Sequence, residues 1–286
     1  QRQMCKETAY LSDYIFPRIV QGIDQVLTEN GYSILLKNTR NSRSLEAKCL
    51  EELLQKDIDG VIIEPSKSQI SCRHLHLYER LEEYGIPYVF IQGCFDQMED
   101  KPQVLMDDCR GGHLITKYLL DTGHRDIAGV FKADDIQGQN RHRGYVQALQ
   151  EAGVLYDPDK VIWFHTEDRK VHPQEGIRRL ISKGTRLDSV VCYNDQIAMQ
   201  VIPLDVFKML EAVANGVRQR AVVIVICHQR NQSRRKDDAS GAHFHRRPGL
   251  VALHFGQRLT AEFHNRVVAG ARQAHADGGH VVERAA

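Results

Sequence analysis

The sequence predicts an α/β protein built on parallel, doubly wound sheets, and three observations carry that reading. Apolar runs of strand length recur along residues 8–202, stretches with helical spacing lie between them, and polar residues gather just after the apolar runs. Strands separated by a single helix pair in parallel through right-handed crossovers, which puts helices on both faces of a sheet. With 286 residues, 42% of them hydrophobic, the chain has enough apolar mass for one large domain or two smaller ones.

The elements follow in order. Ile15 to Asn30 sets Ile19, Ile23, Val26 and Leu27 at helical spacing, and Gly31 then offers a stop. Tyr32 to Leu36 is short and apolar, a buried strand. Ser44 to Lys56 reads as a helix, Gly60 to Pro65 as a strand closed by proline, Leu75 to Tyr84 as a helix and Pro87 to Ile91 as the next strand. Val104 to Met106 is a short strand, and helix Gly111 to Leu120 leads to strand Ile127 to Phe131. Gly138 to Ala152 is helical, Val161 to Phe164 extended, Gln174 to Lys183 helical, and strand Ser189 to Tyr193 enters a helix at Asn194. Ahead of this series, Gln1 to Thr8 is too polar to suggest a strand, so residues 1–9 stay unassigned.

The formal net charge of +1 hides a division. Residues 1–202 hold 25 Lys and Arg against 30 Asp and Glu, whereas residues 203–286 hold 13 against 7. All ten tyrosines lie before the break and seven of the fourteen histidines after it. A basic tail of that kind follows from a shifted reading frame or a foreign segment; its only comparable apolar run, Ala221 to Cys227, is followed by His228-Gln229-Arg230 and not by an acidic turn, so the sheet is expected to lack a proper partner past residue 202. Arg234-Arg235-Lys236 stands beside Asp237-Asp238, so a solvated loop is a better reading than a nucleic-acid surface.

Several classes are disfavoured. No apolar run reaches membrane-spanning length and no secretion leader is visible, which makes the cytoplasm the expected compartment. Seven cysteines without a CxxC pair read as reduced thiols. The His74/His76 and His243/His245 pairs have poor geometry for a metal, and no nucleophile elbow, phosphate loop or zinc-protease motif stands in its proper context. The expectation is a binding protein without metal or cofactor and without enzymatic activity.

In doubly wound sheets ligands sit beyond the carboxyl ends of the strands. The residues there include Asp13 to Phe16, Gln92, Lys132 to Asp135 and Asn194, mostly polar with an occasional aromatic ring. Such a set suits a sugar, whose hydroxyls need donors and acceptors and whose C–H face stacks on a ring.

Particular strings then narrow the reading. Asp13-Tyr14-Ile15-Phe16-Pro17, Ile58-Asp59-Gly60 with Glu64-Pro65, Asp107-Asp108 with Gly111-Gly112, Gly123-His124-Arg125, Phe131 to Asp135 with Gln137-Gly138, and Cys192-Tyr193-Asn194-Asp195 resemble, in order and spacing, the effector domain of the LacI/GalR class. Within it they look most like the arabinose-utilisation repressors of Gram-positive bacteria, over about residues 10–202. The resemblance implies a two-lobed periplasmic-binding-protein-like fold, with residues 10–107 as the N-terminal lobe and 108–202 as the C-terminal lobe. It also implies L-arabinose or a related pentose in the cleft, a homodimer, and operator DNA bound through an N-terminal head that this chain does not contain. The solute-binding protein of a sugar transporter shares the fold and is the alternative. Carried over by position, the effector residues are Asp13, Phe16, Gln92, Lys132, Asp135, Arg141 and Asn194. Read without the resemblance, Arg141 is a solvated helix charge, Asn194 a helix cap, and Lys132 with Asp135 a surface turn.

Overall fold

The computed structural model describes residues 2–8, 16–201, 223–226 and 252–253. The chain divides into two units: residues 1–107 with 132–139, and residues 108–131 with 140–286.

Unit 1 carries a five-stranded sheet. Its strands are β1 (Arg2–Thr8), β2 (Tyr32–Asn38), β3 (Gly60–Ile63), β4 (Tyr88–Ile91) and β5 (Gln103–Val104), in the order β2-β1-β3-β4-β5 with parallel pairing throughout. Helices α1 (Phe16–Glu29), α2 (Arg43–Leu53) and α3 (Leu75–Glu83) make the crossovers. Gly31, at φ 78°, ends α1 in the left-handed conformation that glycine adopts without a Cβ penalty. Leu50, Leu53, Val61, Ile63, Leu81, Phe90 and Phe95 form the fully buried centre of this core.

The first strand corrects the reading of residues 1–9. β1 pairs with β2 along its whole length and with β3 from Met4 to Glu7, so it is an interior strand. A strand with partners on both sides satisfies its backbone whatever its side chains, and tertiary pairing overrides a weak local propensity. Gly60, opposite Met4 in the register, leaves the methionine room: a Cβ there would meet the Met4 side chain at 3.0 Å.

Unit 2 carries β6 (Ile127–Lys132), β7 (Val161–Phe164), β8 (Ser189–Cys192), β9 (Val223–Ile226) and β10 (Ala252–Leu253), in the order β10-β9-β8-β6-β7. Its helices are α4 (Asp108–Asp121), α5 (Ile136–Glu151), α6 (His172–Ser182) and α7 (Asp195–Val201), with Lys132 at the end of β6 and the first turn of α5, up to Gln139, counting with unit 1. Side chains alternate between two cores, as strand geometry requires. Ala128, Val130, Val190 and Cys192 join Ile177, Leu180 and Ile197 on one face, while Ile127, Phe131 and Val191 join Leu119, Tyr145 and Leu149 on the other.

Here too an expectation is corrected. The sheet continues past β8, because β9 pairs with it in parallel from Ser189↔Val223 to Cys192↔Ile226, and β10 pairs with β9. An apolar run of valine and isoleucine is what a central parallel position demands, and it overrides the change in composition around it. The rest of the tail, including the Arg234 and His243 clusters, lies outside the described residues. Among the described residues no helix is long and apolar enough to cross a membrane.

Candidate effector site

In unit 1 the carboxyl edge of the sheet is where the backbone is strained. Among the described residues, the non-glycine positions with positive φ are Arg40 (51°) and Asn41 (55°) after β2, Lys67 (51°) after β3 and Gln92 (69°) after β4. Such conformations cost energy and persist where surrounding contacts impose them, commonly at binding sites. The contacts are polar. Asn41 Oδ1 accepts from Lys67 N at 2.7 Å, and Ser66 Oγ donates to Thr39 Oγ1 at 2.9 Å.

A buried carboxylate anchors these loops from behind. Glu46 of α2 has no exposed surface; it accepts from the Ser66 amide and from Tyr78 Oη at 2.7 Å, and it pairs with His74 Nε2 at 2.9 Å. Burial alone would push the His74 pKa down, but its hydrogen bonds with Cys72 and Glu46 outweigh burial and hold it at about 9.

Residues 132–139 complete the edge of unit 1. Ile136 N donates to Ser68 Oγ at 3.0 Å, and Gln137 Nε2 donates to Gln92 Oε1 at 3.3 Å. Lys132 Nζ lies 2.9 Å from Asp135 Oδ2 and 3.5 Å from Asp134 Oδ1, and Lys67 Nζ lies 3.7 Å from Asp134 Oδ2. Asp135 also accepts from Gly138 N at 2.7 Å, which makes it the N-cap of α5. Lys132 and Asp135 are thus a part-buried pair rather than a solvated turn.

In unit 2 the corresponding position is built around Arg141, which is only 7% exposed. Its Nε donates to Asp108 Oδ1 at 2.8 Å and its Nη1 to the Tyr193 carbonyl at 2.6 Å, while the guanidinium carbon sits 4.5 Å from the Tyr193 ring centroid. Charge, hydrogen bonding and cation–π contact therefore fix one rotamer of a long side chain. The helices that carry the pair approach backbone to backbone. A Cβ on Gly112 of α4 would fall 2.0 Å from the Arg141 carbonyl oxygen, and one on Gly144 of α5 would fall 1.9 Å from that of Cys109.

Of the residues named from sequence, Lys132 and Asp135 pair in unit 1, where Gln92 accepts from Gln137 of the same segment, and in unit 2 Arg141 binds the carbonyl of Tyr193, the residue before Asn194. Asn194 is the N-cap of α7, its Oδ1 accepting from Ile197 N at 3.0 Å. Phe16 opens α1, and Asp13 lies outside the described residues. Sequence reasoning missed Asp108, Tyr193 and Glu46. The first two stood in quoted strings, but pairing across 33 positions leaves no local trace; nothing in the linear pattern marks Glu46. Among the described residues no group of three or more His, Cys, Asp or Glu could hold a metal.

The comparison with known families decides the identity. Periplasmic binding proteins and the sugar binding domain of the LacI family match residues 5–224. The chain belongs to this family. The match runs beyond residues 10–202 at both ends, taking in part of β1 and the start of β9, in keeping with the two strands that composition had hidden. This LacI-family chain is similar to the arabinose metabolism transcriptional repressors of Halalkalibacterium halodurans and Geobacillus stearothermophilus, 40% identical to each over 197 residues. Those alignments cover 68% of this chain and 52% and 54% of the repressors, so the chain spans about half the length of the curated relatives it matches. Among solved structures, a transcriptional regulator CelR–cellobiose complex shares the fold with a TM-score of 0.62 at 24% identity, over 79% of this chain and 67% of that one. All three are regulators of transcription.

Proposed function

We propose that this LacI-family domain is the sugar-sensing part of a transcriptional repressor that answers to L-arabinose or a related pentose. The carrying observation is the 40% identity to two arabinose metabolism repressors, an alignment of 197 residues, long enough to draw on both units. Sugar binding closes the two lobes, and closure shifts a homodimer between states that hold operator DNA differently through a head outside this chain. The compartment is the cytoplasm. Arg141 and Asn194 of unit 2 are its effector contacts, and within unit 1 Gln92, Lys132 and Asp135 are candidates in their own right. Repressors as relatives support a regulator over a transport protein, and a regulator needs no catalytic group.

The test is calorimetry and thermal shift of the full chain against a panel of pentoses and hexoses. L-arabinose should raise the melting temperature progressively with its free concentration, by RT ln(1 + [L]/Kd) in free energy. Arg141→Ala should weaken it about tenfold to a hundredfold, the worth of a charged hydrogen bond of about 1.5 to 3 kcal/mol. Absence of binding by every sugar in the panel at millimolar concentration would end the proposal.

A further inference from the structure

We infer that Asp108 is a specificity-determining residue of the effector site: it holds the Arg141 guanidinium in place and cancels its charge, which tunes the site to uncharged polyols and against anions. The inference rests on the assignment of Arg141 to a sugar.

Three features of unit 2 support it. The Asp108 and Arg141 side chains are 5% and 8% exposed, so water does little to screen the charge of either, and a lone guanidinium at that depth would draw in an anion. The bond runs through Nε, and the Tyr193 carbonyl takes Nη1; a guanidinium has five N–H donors, and these two bonds orient the planar fork. Finally, Gly112 and Gly144 hold α4 and α5 in backbone contact, so Asp108, in the first turn of α4, cannot drift from Arg141 without breaking the helix crossing.

The carboxyl edge of unit 1 follows the same rule on its own. Two lysines, Lys67 and Lys132, stand against two aspartates, Asp134 and Asp135. A site for a phosphorylated or carboxylated ligand would keep an excess of cations, as anion-binding sites do. A polyol needs positioned donors and acceptors without net charge, because each hydroxyl both gives and takes a hydrogen bond.

The experiment titrates the full chain and its variants with L-arabinose and, separately, with inorganic phosphate at constant ionic strength, after a melt confirms folding. The unaltered chain should bind the pentose and ignore phosphate. Asp108→Asn keeps the shape and removes the charge; its pentose affinity should fall about tenfold, and phosphate should now bind and compete. If Asp108→Asn does not fold, Asp108→Glu carries the test: the charge stays, the geometry is lost, the pentose weakens and phosphate is still excluded. Phosphate uptake by Asp108→Glu, or an Asp108→Asn protein that takes the pentose as before and ignores phosphate, would overturn the inference. An unaltered chain that binds no sugar overturns the effector assignment instead, and the phosphate arm alone then decides whether Asp108 compensates Arg141.

Discussion

Replacing Glu46 by glutamine should change how unit 1 responds to alkaline pH. In the native chain His74 is paired with Glu46 at 2.9 Å in a setting where the two side chains are 7% and 0% exposed. Burial disfavours the imidazolium, yet the hydrogen bonds with Cys72 and Glu46 win, and the pKa rises from 6.5 to about 9. Because the folded value is the higher, the stabilisation is complete below pH 6.5 and is lost as pH climbs through about 9; the difference corresponds to about 3 kcal/mol. Glu46→Gln keeps the side-chain shape and removes the carboxylate, so only the Cys72 hydrogen bond is left to oppose burial and the His74 pKa should fall from about 9. Removing one partner of a buried pair also costs about 3 to 5 kcal/mol, which should lower the melting temperature at neutral pH. The assay is an NMR titration of the His74 ring protons between pH 5 and 10, alongside melts at each pH, for the native chain and for Glu46→Gln. The reasoning fails if native His74 titrates at or below 6.5, or if stability between pH 7 and 9 is flat in both proteins.

Three further outcomes are expected. Gly112→Ala puts a methyl group 2.0 Å from the Arg141 carbonyl oxygen, a clash with backbone that cannot rotate away; it should destabilise unit 2 by about 3 kcal/mol or more and lower soluble yield, as melts and expression will read. Asp135→Asn keeps an oxygen for the Gly138 amide and gives up the pair with Lys132, whereas Asp135→Ala loses the cap as well; alanine should be the worse by about 1 kcal/mol in chemical denaturation. Burial tends to raise the Asp188 pKa, but the His124 ring 3.4 Å away and the Arg125 and Asp126 amides outweigh it and bring it to about 2. Its contribution, about 2 kcal/mol, is therefore present above pH 3.8 and lost as pH falls through about 2; Asp188→Asn should flatten the acid limb of the stability profile.

What the sequence by itself determined was the repeated unit. Periodicity located β2 to β4, β6 to β8 and α1 to α7 because each is a local event: a short apolar run makes a strand, and a stripe at helical spacing makes a covering helix; the edge strand β5, expected at Val104 to Met106, is the exposed pair Gln103–Val104 and overlaps the expectation at Val104 alone. Order and spacing of short strings also carried the family. Long-range pairing decided the rest. β1 is polar along much of its length and becomes an interior strand only because β2 and β3 supply partners on both sides, and β9 joins β8 across thirty intervening residues of different composition. The candidate site shows the same limit. Arg141 and Asn194 could be named from position, but their surroundings depend on residues far away in sequence: Asp108 brought up by the glycine crossing of α4 and α5, and Tyr193 delivered by the end of β8. Glu46 stands in a helix where nothing in the linear pattern marks it, and it is buried because the loop after β3 turns its Ser66 amide onto the carboxylate and α3 brings Tyr78, with His74 at its N-cap, against it. Charge compensation and burial arise from which segments meet, and a linear pattern does not record that meeting.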